Sequence, residues 1–343
     1  MENKLKTIRL CNANEVNKLQ EYIKTNWQEN HIFVHSRELL LWQHDNSADG
    51  NLNYVIALNE NEDIVGVLGF IPTFKYDTAL SSSETSIWLA LWKANEEYPG
   101  TGFYMLRFIE EEFTPNSIAA IGINDDVQRL YKALGYKFGT WSQYYYLNSS
   151  NTDFKMIQLS GNQKNFEPAV SSQMSEIKEI ESLSDLADAP EAIYSPLKSI
   201  DYFINRFTNH PFYKYIFFGV YTSDQLVCLF VMRKIETEGS ACLRIVDVLG
   251  DLNKVENLSA QLDKVLKDEN AEYVDFVNFG IDEEIFYKIG FRKREEGMII
   301  PNYFEPFLRQ NVDVKSAYKT DGENYVIFKA DGDQDRPSLL QKA

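Results

Sequence analysis

Apolar and polar positions along the chain fall into short blocks whose period changes in a set order. Residues 5–10 read as a strand. Residues 15–25 carry Val16, Leu19, Tyr22 and Ile23 at the spacing of one helix face, with Asn12 and Asn14 placed to cap it. Residues 32–44 (IFVHSRELLLWQH) read as a loop and a second helix, and 53–58 and 64–72 as two strands around a polar turn. The next apolar strand, 87–92, leads into a turn holding Gly100 and Gly102. Beyond it Met105, Leu106, Phe108, Ile109 and Phe113 form an apolar stripe opposite Arg107, Glu110, Glu111 and Glu112. A strand at 117–123, a short helix at 125–134 stopped by Gly135, and an aromatic strand at 138–147 follow. The predicted order of this half is β-α-α-β-β-β-α-β-α-β.

The second half repeats most of that order. After a polar connection at 148–175 come a helix at 201–207 and strands at 215–221, 226–235 and 241–249. An amphipathic helix at 256–268, a strand at 273–279 and a short helix at 281–288 follow, the last stopped by Gly290. The endings align: Asn124 and Tyr131-Lys132-Ala133-Leu134-Gly135-Tyr136 against Asn278 and Phe286-Tyr287-Lys288-Ile289-Gly290-Phe291. Two differences stand out. Gly100-Thr101-Gly102 is answered by Leu249-Gly250-Asp251-Leu252, whose carboxylate would repel an anion, and Tyr131 by Phe286, which has no proton to give.

A strand, a glycine turn and a helix together offer backbone N–H groups and the positive end of a helix dipole to a phosphate. The dinucleotide fingerprint would need a third glycine where Met105 stands, and a P-loop would need Gly-Lys-Ser/Thr, which is absent. Composition narrows the classes further. The chain has 343 residues, enough for two domains, and is 44% hydrophobic, so both can be globular. A net charge of −17 argues against nucleic-acid or anionic-membrane partners. Three cysteines without a CxxC pair give no disulfide framework and no metal site. The N-terminus lacks a signal-peptide apolar core, and no apolar run approaches the roughly 18 residues of a membrane span, so a cytoplasmic, soluble protein is expected.

Three pieces of the first half resemble the GNAT superfamily of acyl-CoA-dependent N-acyltransferases. The hairpin is similar to its central antiparallel strands. Glu97-Tyr98-Pro99-Gly100-Thr101-Gly102 stands where that superfamily has its Gln/Arg-x-x-Gly-x-Gly/Ala pyrophosphate loop, with Glu97 in place of the usual first residue. Asn124 with Tyr131, Gly135 and Tyr136 resembles its later Asn and Tyr-x-x-x-Gly-Phe/Tyr block. The resemblance spans residues 5–147. It implies an α/β (α+β) fold of two tandem GNAT-like domains, each a mixed, mostly antiparallel twisted sheet flanked by helices. Residues 1–150 would be the acyl-CoA-binding catalytic domain. Residues 151–343 would be a degenerate copy that shapes or binds the acceptor.

The resemblance also implies roles. The main chain of Leu91 and Trp92 would pair with pantetheine amides, and the N–H groups from Glu97 through Gly100, Thr101 and Gly102 to Phe103 would hold the pyrophosphate, with Lys93 as an added cation. Asn124 would either bind the pantetheine arm or cap its helix. Tyr131 would give a proton to the departing thiolate. For the base, Glu84, His31 and His35 are open, as is a route through water with no dedicated base. Trp42, Arg206, His210, Asp247, Asn302, Asp333 and Arg336 are the candidate acceptor-binding groups, with His31 in the loop beside them.

The length, the tandem order, the strand Trp88-Leu89-Ala90-Leu91-Trp92-Lys93 and the ending Asp331-Gly332-Asp333-Gln334-Asp335-Arg336-Pro337 resemble two-domain members that acylate a nucleotide-linked amino deoxysugar. Those members serve bacterial surface-polysaccharide (lipopolysaccharide) pathways. The expected donor is acetyl-CoA or a short hydroxyacyl-CoA, and the expected acceptor a dTDP-linked amino sugar. Two alternatives stay open: an acyltransferase for a protein, polyamine or aminoglycoside amine, and a non-catalytic acyl-CoA-binding protein.

Overall fold

The computed structural model describes residues 4–46, 49–77, 79–80, 85–160, 174–186 and 188–338. The chain starts with β1 (Leu5–Asn12), a 3-10 turn and α1 (Val16–Asn26). Glu15 closes the turn by accepting from the Asn12 N–H at 3.1 Å and from Arg9 at 2.8 Å, and Val16, Leu19, Tyr22 and Ile23 are buried, the face that their spacing predicts. The loop and helix predicted for 32–44 are two helices, α2 (Ile32–His35) and α3 (Arg37–His44). The break falls at Ser36, whose hydroxyl caps α3 by accepting from the Leu39 N–H at 3.2 Å. Then follow β2 (Asp45–Asn46), β3 (Asn51–Asn59), β4 (Ile64–Pro72), β5 (Ser86–Ala94), α4 (Thr101–Phe113), β6 (Ser117–Ile121), α5 (Asp125–Ala133), β7 (Lys137–Thr140) and β8 (Ser142–Leu147).

The second half contains β9 (Glu176–Ile180), α6 (Ile200–Phe203) running on into a π-helical turn (Ile204–Thr208), β10 (Ile216–Thr222), β11 (Gln225–Thr237) and β12 (Ser240–Gly250). It continues with α7 (Ser259–Asp268), β13 (Tyr273–Phe279), α8 (Glu283–Ile289), β14 (Arg292–Lys293), β15 (Lys315–Thr320) and β16 (Ile327–Phe328).

These strands make two 8-stranded sheets. One runs β1-β3-β4-β5-β6-β15-β7 with β2 beside β3, the other β14-β8-β13-β12-β11-β10-β9 with β16 beside β13. Among the described pairs only β5–β6 and β12–β13 are parallel. Each sheet therefore has one place where neighbouring strands leave in the same direction.

The two halves exchange strands. The single strand predicted for 138–147 is two: β7 stays in the first sheet, while β8 crosses after Trp141 to pair with β13, from Tyr273↔Leu147 to Asn278↔Ser142. In return β15 inserts between β6 and β7, with Ser316↔Ile121 on one side and Ser316↔Gly139 on the other. The segment KSAYKT that forms β15 has no apolar alternation to announce it, and its backbone pairing is supplied by strands far away in the sequence. Helices α1 and α3 cover one face of the first sheet through Leu19, Ile23, Leu39 and Leu40, while α4 and α5 cover the other through Met105, Ile109 and Tyr131. Ile71, Trp88 and Ala119 pack against Val231, Val246 and Val277 of the second sheet, so the sheets meet in a shared apolar core.

Candidate active site

The strands β5 and β6 pair from Ser86↔Ser117 to Leu89↔Ala120 and then part. On the other side of β5 the register to β4 slips: Phe70 faces Leu89 and Leu68 faces Trp92, so three steps of β5 oppose two of β4. Ala90 and Leu91 thus form a bulge at the point of parting. The rest of β5 stays bonded to β4, with Val67↔Lys93 and Gly66↔Ala94, and its edge toward β6 is open.

Beyond this opening stands the N-terminus of α4. Gly100 takes φ +82, in the left-handed region where a side chain is strained, and turns the chain into the helix. Thr101 is fully buried, its hydroxyl donating to the Tyr98 carbonyl at 2.7 Å and its N–H to the same oxygen at 3.3 Å. The Tyr104 N–H donates to Gly100 O at 3.1 Å. The N–H groups of Gly102 and Phe103 are the remaining donors of the first turn, which has no preceding carbonyl for them. A Cβ at Gly102 would lie 3.0 Å from the Trp92 ring, so a glycine lets the helix start sit directly on that indole. Glu96 and Glu97 are exposed in the turn and Lys93 is half-buried on β5. An open strand edge, a bulge and a glycine-bearing helix start suit an extended amide chain that ends in a phosphate.

Tyr131 lies beneath this opening at 1% exposure, edge-on to Trp92 at 5.8 Å and 4.9 Å from Tyr136. Burial raises its phenol well above the ordinary value, so it keeps its proton at neutral pH. Asn124 caps α5, accepting from the Val127 N–H at 3.2 Å. Glu84 lies outside the described residues. His35 is exposed on α2. His31 is buried at the start of α2, where Nδ1 accepts from the Phe33 N–H at 3.2 Å. Burial, then the charge of Arg336, lowers its pKa to about 4, so the ring is neutral at pH 7 and a weak base.

The acceptor candidates do not converge on one point. They form separate clusters along the C-terminal segment. Arg206 is buried, stacked 4.6 Å over Trp42, and donates to Tyr76 Oη at 3.2 Å and to the carbonyls of Ala330 and Gly332 at 3.2 and 3.3 Å. His210 packs 4.3 Å from Trp42 and accepts the N–H groups of Phe212 and Tyr213 on Nδ1; burial, then Arg206, lowers its pKa to about 3. Asp247 is fully buried against Lys198 at 2.8 Å, and Lys198 also meets Asp331 at 2.6 Å. Asn302 clips a loop by bonding both backbone polar groups of Val312. Arg336 reaches Asp333 at 3.4 Å and His31 Nε2 at 3.4 Å, tying the chain end to α2. Arg206 and Asp247 spend their polar atoms on the protein itself and so fix the C-terminal segment. Lys198, Lys329, Arg233 and Asp335 belong to the same region, and only Asp335 falls within a stretch that stood out in the sequence.

The second sheet has the matching opening, and the chain fills it. Strands β12 and β13 pair from Leu243↔Val274 to Ile245↔Phe276. Past that point β16 pairs with β13 through Asn278↔Phe328, and the Ala330 N–H donates to Val246 O at 2.8 Å, bridging to β12. At the turn corresponding to Gly100, a Cβ on Gly250 would lie 2.3 Å from Val227 O, and the Asp251 carboxylate accepts the Asn253 N–H at 3.0 Å. Backbone and carboxylate close this copy from within.

No family model matches the chain, and comparison with curated proteins gives no match. Solved structures do match. A GCN5-related N-acetyltransferase from Anabaena variabilis superposes with TM-score 0.51 at 12% identity, over 91% of this chain and 72% of that one. A conserved protein of unknown function from Enterococcus faecalis superposes with TM-score 0.51 at 11% identity, over 90% of this chain and 72% of that one. At such identity the likeness is one of fold, and it extends over both halves: the chain has the mixed, mostly antiparallel GNAT fold.

Proposed function

We propose that the protein transfers an acyl group from acyl-CoA to a primary amine, with residues 1–150 supplying the donor site and 151–343 shaping the acceptor site. The observation that carries this reading is the difference between the two strand openings. The first is lined by an open edge, a bulge and a glycine turn; the second is filled by β16 and residues 329–330.

In this reading the free edge of β5 at Leu91 and Trp92 pairs with the pantetheine amides. The N–H groups of Gly100, Gly102 and Phe103, aided by the α4 dipole and Lys93, hold the pyrophosphate. Glu97 contributes backbone only, since its exposed side chain can turn to water. The amine adds to the thioester carbonyl carbon, the β5 bulge presents main chain to the oxyanion that forms, and the C–S bond breaks as that oxyanion collapses to the amide. Tyr131, kept protonated by burial, donates its O–H to the thiolate as the C–S bond breaks, and a proton from the amine returns to it through water. The amine's proton leaves through water, because His31 is too weak a base at neutral pH. The acceptor class we assign is a nucleotide-linked, dTDP-type amino deoxysugar, acylated in the cytoplasm for surface-polysaccharide synthesis.

Thiol release from acetyl-CoA and from a 3-hydroxyacyl-CoA, measured against a panel of nucleotide amino sugars, polyamines and peptides, tests it. Release with the sugars supports the assignment. Release with polyamines alone, which the −17 net charge would favour, replaces the acceptor class. CoA binding without turnover on any amine would leave a binding protein. If Tyr131 is the proton donor, Tyr131→Phe lowers kcat by about 10²-fold with little change in KM.

A further inference from the structure

Where the two sheets meet, the C-terminal segment and the loop at 302–305 enclose a cavity of about 320 Å³. It opens beside Gly122, at the end of β6, and so adjoins the strand opening of the first half. Four cations line it: Arg233 of β11, Arg244 of β12, Lys329, which follows β16, and Arg336 of the C-terminal segment. Three of them are compensated, Arg336 by Asp333 at 3.4 Å. Arg233 pairs with Asp335 at 2.7 Å, and Arg244 with Asp275 at 2.6 Å. Arg244 also donates to the carbonyls of Pro301 and Asn302.

Lys329 is different. Its side chain is 7% exposed, yet among the described residues it has neither a hydrogen-bond acceptor nor an ion-pair partner. Burial, then the neighbouring charge of Arg244, lowers its pKa to about 8. Three guanidiniums matched by three carboxylates leave the ammonium as the lining cation without an ion pair among the described residues. An ammonium withdrawn from water without an acceptor is costly, and a negatively charged oxygen group in the cavity would remove that cost. Of the other carboxylates of the wall, Asp313 pairs with Arg294 at 3.3 Å, and Glu305 is bound by Tyr213 Oη at 2.6 Å and the Ser338 N–H at 2.8 Å. Tyr213 and Phe304 add aromatic surface for the body of a ligand.

We propose that this cavity binds an oxyanion group, carboxylate or phosphate, of a small molecule, with Lys329 as its ion-pair partner and Arg233 alongside. Taking that molecule to be the amine acceptor rests on the acyl-transfer reading above; the anion site does not. An acceptor with a diphosphate and one with a carboxylate would both satisfy the cavity, and the test separates them.

The full chain is titrated calorimetrically with inorganic pyrophosphate, with succinate and, separately, with CoA. Saturable binding of one of the two anions is expected, weakened at least about tenfold in Lys329→Met and partly kept in Lys329→Arg. Lys329→Met should melt no lower than the parent protein, since it removes an unpaired buried charge. In parallel, acetic anhydride at pH 8 should modify Lys329, read by mass spectrometry, and the bound anion should protect it. Binding of neither anion, or equal binding to Lys329→Met, overturns the proposal. Retained CoA binding alongside that result leaves the acyl-transfer reading standing. Anion binding without CoA binding overturns that reading instead.

Discussion

At the scale of single residues, the site depends on a few positions where backbone or charge has no freedom. Gly100 occupies the left-handed region at φ +82, and an added Cβ would lie 3.3 Å from the Tyr104 ring. Gly100→Ala should therefore cost about 1 kcal/mol in urea unfolding and weaken CoA binding more than it weakens the fold, since the strain falls on the turn that aims the N–H groups. Lys198 stands between Asp247 and Asp331, within reach of both, and Lys198→Met leaves two buried carboxylates without their cation. A loss of about 3–5 kcal/mol is expected at pH 7.5. Burial already raises the Asp247 carboxyl to about 6, so the folded state takes up a proton there before the unfolded chain does. The deficit of the variant relative to the parent should accordingly shrink when unfolding is repeated at pH 5.5. The glycine turn could be read from the sequence because its cause is local. Lys198 could not, because nothing near it in the chain indicates that its partners lie 49 positions away at Asp247 and further on at Asp331.

At the scale of elements, the apolar pattern located the hairpin of β3 and β4, the strand β5 and the helices α4 and α5 to within a few residues, since the strands are nearly continuous apolar runs buried on both faces and the helices carry an apolar stripe. It did not locate β15, and it joined β7 to β8. Both failures have one origin. Strand partners are set by tertiary pairing, and the exchange places β15 between β6 and β7 while β8 serves the other sheet. The pairing makes a prediction about folding. A fragment of residues 1–150 lacks the strand between β6 and β7 and carries β8 unpaired, so it should be insoluble or lack cooperative unfolding by circular dichroism. Adding the remaining residues as a second chain should restore solubility, whereas a cooperatively folded 1–150 fragment would show that the exchange is dispensable. The helix predicted at 256–268 begins later, at Ser259, because the residues before it form a bridge and turn against Met174 and Ser175.

At the scale of the whole molecule, three buried histidines link stability to pH. Burial lowers His31 to about 4 and His44 and His210 to about 3, whereas the unfolded chain protonates its imidazoles near 6.5. The unfolded state thus binds more protons through this window. Their contribution is fully present above about pH 6.5 and is lost progressively as pH falls toward 3–4. Tm should decline from pH 7 to pH 4.5, and the decline should be shallower in His210→Asn; an unchanged slope would mean that other groups set it. None of this is visible in the spacing of histidines along the chain, because their burial comes from α2, α3 and the π-helical turn closing over the sheet junction.

By itself the sequence determined what short-range physics determines: the period of the apolar faces, the left-handed turn that glycine permits, the glycines that end α5 and α8, and a repeat with one glycine loop kept and the other replaced by Asp251. The tertiary structure decided which strands pair and which opening stays free. It placed β16 in the second opening, made Arg206 and Asp247 supports for the C-terminal segment, and left Lys329 without a partner among the described residues in a cavity between the sheets. The division follows from range. Turns and faces are fixed by neighbours a few residues apart, while the partners of a buried charge or of an inserted strand are fixed by contacts across tens to more than a hundred residues.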